Sequence, residues 1–81
     1  MRAVTLYARP GCHLCDEARE AILALREELA FELSEVNIER DDALLARYLE
    51  RIPVVAVDGA IVSELEIKLD LLRAALPVAG P

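Results

Sequence analysis

Cys12 and Cys15, in Cys12-His13-Leu14-Cys15, are the residues whose type and spacing most directly suggest chemistry. Two thiols three positions apart can cycle between dithiol and disulfide, contribute to a metal site, or staple a fold. Stapling fits poorly, because a bridge across so short a loop constrains little of the unfolded chain. In a reducing compartment it would also be opened. A structural metal site wants four ligands. Here the pair could add only His13, inside the loop, or the thiolates of a second subunit. A dimer sharing four thiolates around zinc or an iron–sulfur cluster is therefore the alternative reading. A third is an interaction scaffold with a vestigial pair.

The elements around the pair favour redox chemistry. Residues 4–7 form a β-favouring run, and Arg9-Pro10-Gly11 breaks it. A helical period follows, with Leu14, Ala18, Ala21, Leu25 and Leu29 on one stripe and Ile22 widening it. Cys12 then falls just after a strand and at the first turn of a helix. Unpaired N–H groups at a helix start favour an adjacent anion, and the thiolate is the reactive form of cysteine. An ordinary thiol, with pKa about 8.5, is only a few per cent ionised at neutral pH. A helix terminus typically supplies about 0.3–1 kcal/mol against roughly 1.4 kcal/mol per pKa unit. Direct N–H···S contacts and a cation must add to it. Arg9 is the candidate cation, while Asp16 and Glu17 oppose it. Cys12, at the exposed end of the loop, is the expected attacking thiolate. Cys15, one turn inside the helix, is the expected resolving thiol.

The remaining elements complete a small sheet. Residues 31–38 begin and end with period-two alternation, suggesting a second strand. Asp41 and Asp42 suit the cap of a short helix through Leu44, Leu45, Tyr48 and Leu49. Residues 53–57 and 60–62 flank Asp58-Gly59, a strong hairpin signal. Ser63-Glu64-Leu65-Glu66 matches a capping box, with Ser63 as N-cap of a helix carrying Leu65, Leu69, Leu72 and Leu76. The order β-α-β-α-β-β-α predicts an α/β domain over residues 1–77, a four-stranded mixed sheet with helices on both faces. Residues 78–81 are expected to be a short tail.

At 81 residues and 56 % hydrophobic, with 4 % aromatics, the chain suits one domain with an aliphatic core. Nine basic against fifteen acidic residues give a net charge of −6, with no basic run, which argues against nucleic acid and anionic membranes. No stretch approaches the roughly 20 apolar residues of a membrane span. The run after Met1 is too short for a secretory signal. Taking Met1 as the native start, a soluble, cytoplasmic monomer is expected.

Arg9-Pro10-Gly11-Cys12-His13-Leu14-Cys15, the later Arg51-Ile52-Pro53-Val54 and the element order together resemble the glutaredoxin branch of the thioredoxin-like superfamily. The resemblance spans essentially the whole chain and implies a thioredoxin-like fold and a thiol–disulfide oxidoreductase. Its substrates would be protein disulfides or glutathione mixed disulfides. Electrons would come from glutathione or a thioredoxin-reductase-type flavoenzyme, with no tightly bound cofactor. It also implies a cis Ile52–Pro53 bond facing the redox pair, with the Ile52 backbone pairing with the substrate as an added strand. Many glutaredoxins carry Pro-Tyr between the cysteines, where this chain has His13-Leu14. They hold the γ-glutamyl end of glutathione on a Gly-Gly and acidic stretch, where this chain has Val62-Ser63-Glu64-Leu65. Ser63 with the first N–H groups of the last helix, or Arg9, is the corresponding candidate for a glutathione carboxylate.

Other residues keep two readings. His13 either places a partial positive charge beside Cys12 or is a helix-start residue of modest effect. Tyr7 borders a groove or is a half-buried strand end, the second being favoured. Arg51 steers an anion or is a solvated charge, again with the second favoured. Leu14 offers an exposed contact to a partner or begins the core stripe, and the stripe is favoured. Glu27, Glu28, Glu32, Glu35, Asp41 and Asp42 read as solvated faces.

Overall fold

The computed structural model describes residues 2–76. The first and last positions of the expected domain and the tail at 78–81 lie outside the described residues. The chain forms β1 (Arg2–Ala8), α1 (His13–Arg26), β2 (Phe31–Asn37), a 3-10 turn (Ile38–Arg40), α2 (Asp42–Tyr48), β3 (Val54–Val57), β4 (Ala60–Glu64) and α3 (Leu69–Ala75). The four strands make one mixed sheet in the order β2-β1-β3-β4. β1 runs parallel to β2 and antiparallel to β3, and β3 is antiparallel to β4. This is the expected fold class.

Burial shows how the layers close. In β1, Val4, Leu6 and Ala8 are buried on one face, while Thr5 and Tyr7 on the other are half-buried. All four residues of β3 are buried, as expected for a central strand covered on both faces. The Tyr48 ring of α2 lies on that of Tyr7, with centroids 4.8 Å apart, so α2 covers the Tyr7 face. On the other side, an ion pair between Arg73 and Glu28 (2.9 Å) ties α3 to the chain just past α1.

The buried stripe of α1 is Cys15, Ala18, Ile22 and Leu25. This corrects the expectation for Leu14, which is 48 % exposed, whereas Cys15 is fully buried. Spacings of 4-3-4 from Leu14 and 3-4-3 from Cys15 share Ala18 and Leu25. The helix settles on the rotation that buries Ile22 with Cys15 rather than Leu14 with Ala21.

Local chemistry sets several boundaries. Asp41 caps α2, its Oδ1 accepting from the N–H groups of Ala43 (2.8 Å) and Leu44 (3.3 Å). Asn37 Oδ1 likewise accepts from Glu39 N–H (2.9 Å) at the 3-10 turn. In the β3–β4 hairpin Asp58 has φ 49° and Gly59 φ 87°, the positive pair that a tight two-residue hairpin turn needs. Asp58 also latches the hairpin to β1: its carboxylate accepts from Ala3 N–H (3.0 Å) and from Arg2 (2.7 Å). Those bonds, that of Ala3 first, hold its carboxyl below the usual carboxylate range.

The expected capping box is a second correction. Ser63 lies in β4 opposite Val55, beyond a register shift in the ladder, and does not cap a helix. Its backbone is committed to pairing with β3, so the chain cannot turn helical there. After β4 the chain swings through Leu65, at φ 66°, whose N–H donates to Arg51 O (2.8 Å). The helix starts only at Leu69, after Lys68, which makes no side-chain cap. Leu65 thus precedes α3 and is exposed, while Leu72 and Leu76 are buried.

Candidate redox site

Sheet topology gathers the candidate residues at one end of the molecule. The carboxyl end of β1 leads through Arg9, Pro10 and Gly11 to Cys12. Gly11 sits at φ 77°, a left-handed conformation that glycine adopts without steric cost. Because β3 is antiparallel to β1, with Val54 opposite Tyr7, the start of β3 lies beside the end of β1. Ile52 and Pro53, just before Val54, therefore reach the same end. β4 is antiparallel to β3, with Glu64 opposite Val54, so Glu64 and Leu65 arrive there too.

Cys12 is the N-cap of α1, in extended conformation at φ −92°, and its Sγ accepts from Cys15 N–H (3.2 Å). Its carbonyl accepts from Asp16 N–H (3.1 Å). The sulfur therefore stands where the helix start offers donors to an anion. Cys12 and Cys15 are joined as a disulfide, with Cα atoms 5.2 Å apart. Cys12 is half-buried and Cys15 fully buried. Of the two sulfur-bearing residues, only Cys12 is reached by solvent.

Around the pair, the structure sorts the candidates. Ile52 and Pro53 are both buried and joined by a cis peptide bond. Ile52 N–H is already donated to Tyr48 O (3.0 Å), at the end of α2. Among the described residues its carbonyl accepts no backbone hydrogen bond of the turns, loops and caps. His13 is exposed at the first position of α1. Arg9 is not a free cation, since it pairs with Glu39 at 2.9 Å. Ser63 is buried, and its Oγ has no hydrogen-bond partner among the described residues. The carboxylate site imagined from Ser63 plus the start of the last helix does not assemble, because five residues separate Ser63 from the first residue of α3.

Three features escaped sequence reasoning. Glu39 neutralises Arg9 from a different element, a pairing that no local pattern announces. Arg19 is clamped between Asp16 (2.8 Å) and both oxygens of Glu35, including an Nε contact at 2.6 Å; the hydrogen bonds it donates to Glu35 and then to Asp16 push its guanidinium still further toward the charged form. Leu14, Leu65 and Ile67, with Glu17 and Glu66, line a groove of about 490 Å³ that starts inside the Cys12–Cys15 loop. Among the described residues no cluster of three or more His, Cys, Asp and Glu side chains is disposed to hold a metal ion, and no helix is long and apolar enough to cross a membrane.

Comparison with known proteins agrees with this geometry. A solution structure of the protein Ne2328 from Nitrosomonas europaea superposes with a TM-score of 0.84 at 29 % identity, over 94 % of this chain and 92 % of that one. The crystal structure of XcR50 from X. campestris is 40 % identical, with a TM-score of 0.69 over 88 % and 91 % of the two chains. A thioredoxin from Halobacterium salinarum, at 19 % identity and a TM-score of 0.66, shares the fold over 93 % of this chain and 71 % of its own. No curated protein matches the chain. A family profile describing a glutaredoxin-like domain, DUF836, matches residues 3–77, so a chain that carries a half-open Cys12–Cys15 pair at the helix start of a thioredoxin-like sheet belongs to the glutaredoxin-like DUF836 family.

Proposed function

We propose that the protein is a dithiol oxidoreductase that reduces disulfides through Cys12, with Cys15 resolving. The observation that carries this reading is the unequal burial of a bonded pair at a helix start: Cys12 half-open and capping, Cys15 sealed one turn inside. In the reduced protein the Cys12 thiolate attacks one sulfur of a substrate disulfide. That S–S bond breaks, a Cys12–substrate disulfide forms, and the other substrate sulfur leaves as a thiolate. Cys15, deprotonated, then attacks Cys12 Sγ and expels the second substrate thiolate. The protein is left with the Cys12–Cys15 disulfide and the substrate has gained two electrons. The Cys15 N–H that meets Cys12 Sγ supports the first step, because it lies where a thiolate needs a donor.

Protein disulfides or glutathione mixed disulfides are the substrates in this reading, and glutathione or a thioredoxin-reductase-type flavoenzyme restores the dithiol. No tightly bound cofactor takes part, and the protein works as a cytoplasmic monomer. The test is turnover of a small neutral disulfide by the wild type and two variants. Cys12→Ser is expected to abolish it, while Cys15→Ser still forms a mixed disulfide with Cys12 that accumulates and is visible by mass. A Cys12→Ser protein of wild-type activity would sink the assignment.

A further inference from the structure

The groove beside the redox pair names a class of substrate. Leu14 lies between the two cysteines and is 48 % exposed, and Leu65 across from it is 52 % exposed. Leu65 is also held at φ 66°, which is costly for a side chain larger than glycine and persists only where surroundings enforce it. The Arg51 carbonyl enforces it by accepting Leu65 N–H at 2.8 Å, beside Ile52 and Pro53. The groove of about 490 Å³ is thus a trough with an apolar side, made by Leu14, Leu65 and Ile67, that reaches the redox loop at Leu14.

Its charge is one-sided. The charged residues lining the trough are Glu17 and Glu66, both exposed. Arg9, Arg51 and Arg19 are matched by carboxylates: Arg9 by Glu39 (2.9 Å), Arg51 by Glu64 (3.7 Å) and Arg19 by Asp16 and Glu35. Lys68 and His13, next in sequence to the lining residues Ile67 and Leu14, are exposed and do not line the trough. A ligand carrying free carboxylates, as glutathione does, meets two acidic residues in this lining and no basic one.

We infer that the preferred substrate of this dithiol is a polypeptide disulfide whose cysteine is flanked by an apolar side chain and a lysine or arginine. The apolar side chain fills the trough between Leu14 and Leu65, and the cation lies between Glu17 and Glu66. This rests on the dithiol reading of Cys12 and Cys15 and adds the partner's chemistry to it.

The test is single-turnover release of pyridine-2-thione from peptides whose cysteine is held as a 2-pyridyl disulfide (Cys–S–S–pyridine), mixed with fully reduced protein. The cysteine is flanked by Leu and Arg, Leu and Glu, or Ser and Arg, and the 2-pyridyl disulfide of glutathione serves as the anionic comparison. Cys12 forms a mixed disulfide with the peptide and expels pyridine-2-thione; Cys15 then releases the peptide thiol, so no outside reductant is needed. The Leu/Arg peptide should react about tenfold faster than the Leu/Glu peptide at low salt, with the ratio shrinking at high salt. The Glu17→Lys/Glu66→Lys protein should invert the ratio of those two peptides. In Leu65→Ser the advantage of Leu/Arg over Ser/Arg should disappear.

If no probe releases pyridine-2-thione, the dithiol reading falls and this inference with it. If all probes react at equal rates, or glutathione reacts fastest, the dithiol reading stands and the charge-selective trough is refuted. A doubled mass in solution together with loss of all peptide discrimination would mean that a second copy of the chain occupies the trough, and would also overturn the proposal.

Discussion

Replacing Asp41 with alanine isolates a contact that supports the site from a distance. Asp41 Oδ1 accepts from two N–H groups, Ala43 at 2.8 Å and Leu44 at 3.3 Å, which would otherwise be orphaned at the start of α2. α2 spans only Asp42–Tyr48, so one lost cap touches a large part of it. Its far end matters for the redox site, because Tyr48 O receives the N–H groups of Arg51 (2.8 Å) and Ile52 (3.0 Å) just before Pro53. Losing an N-cap of this kind costs about 1 kcal/mol, within a range of roughly 0.5–2 kcal/mol. In a domain of this length each 1 kcal/mol moves the thermal midpoint by about 4–8 °C. Asp41→Ala should therefore melt about 4–8 °C below the wild type. Asp41→Asn, which keeps the acceptor oxygen, should stay within a few tenths of a kcal/mol. Far-UV circular dichroism melts of the three oxidised proteins measure both differences. If the alanine and asparagine variants melt together, the acceptor bonds are not what holds α2, and the reasoning fails.

Further outcomes follow from the core, the hairpin and the surface charges. Ile22→Ala empties a fully buried position on α1 and should cost about 2–5 kcal/mol in urea unfolding; a loss below about 1 kcal/mol would mean that Ile22 is not part of a packed core. Gly59→Ala meets no atom within 4 Å but must hold φ 87°, so it should cost about 1–2 kcal/mol from backbone strain alone, and an unchanged midpoint would contradict the hairpin geometry. Asp58 has its folded carboxyl pKa lowered from 3.8, so its contribution is complete above that value and lost as pH falls through the lower folded value. Acid titration of stability should therefore be steeper below pH 3.8 in the wild type than in Asp58→Asn, and parallel curves would refute the latch. A double-mutant cycle on Arg19 and Glu35, both substantially exposed, should give a coupling of about 1 kcal/mol or less that shrinks in high salt.

What the sequence disclosed was local chemistry. Asp58-Gly59 announced its hairpin because few residue pairs tolerate two positive φ angles, and Asp41 announced its helix because a carboxylate before a helical run has one obvious use. The Cys12–Cys15 pair was legible for the same reason: thiol spacing and a strand-to-helix break are written side by side. The failures lie where a local pattern competes with a distant partner. Ser63-Glu64-Leu65-Glu66 fits a capping box, yet β3 claims Ser63 for a ladder, and Arg51 O takes the N–H of Leu65. Leu14 and Cys15 fit alternative stripes of one helix, and only packing, which buries Cys15 with Ile22, decides between them. Arg9 reads as a cation for a substrate until the chain beyond β2 brings Glu39 to it. The trough had no signature at all, since it is made from the first turn of α1 and a turn some fifty residues later.

The central claim is that Cys12 and Cys15 form a reversible dithiol centre, and a redox titration of the purified protein tests it most directly. Free thiols are trapped by alkylation across a series of glutathione buffers and counted by mass. The account predicts that two thiols disappear together and reversibly at one defined potential, and that Cys12→Ser shows no such paired loss. Thiols that stay reduced and shielded throughout the series, becoming reactive only after a chelator is added, would contradict it.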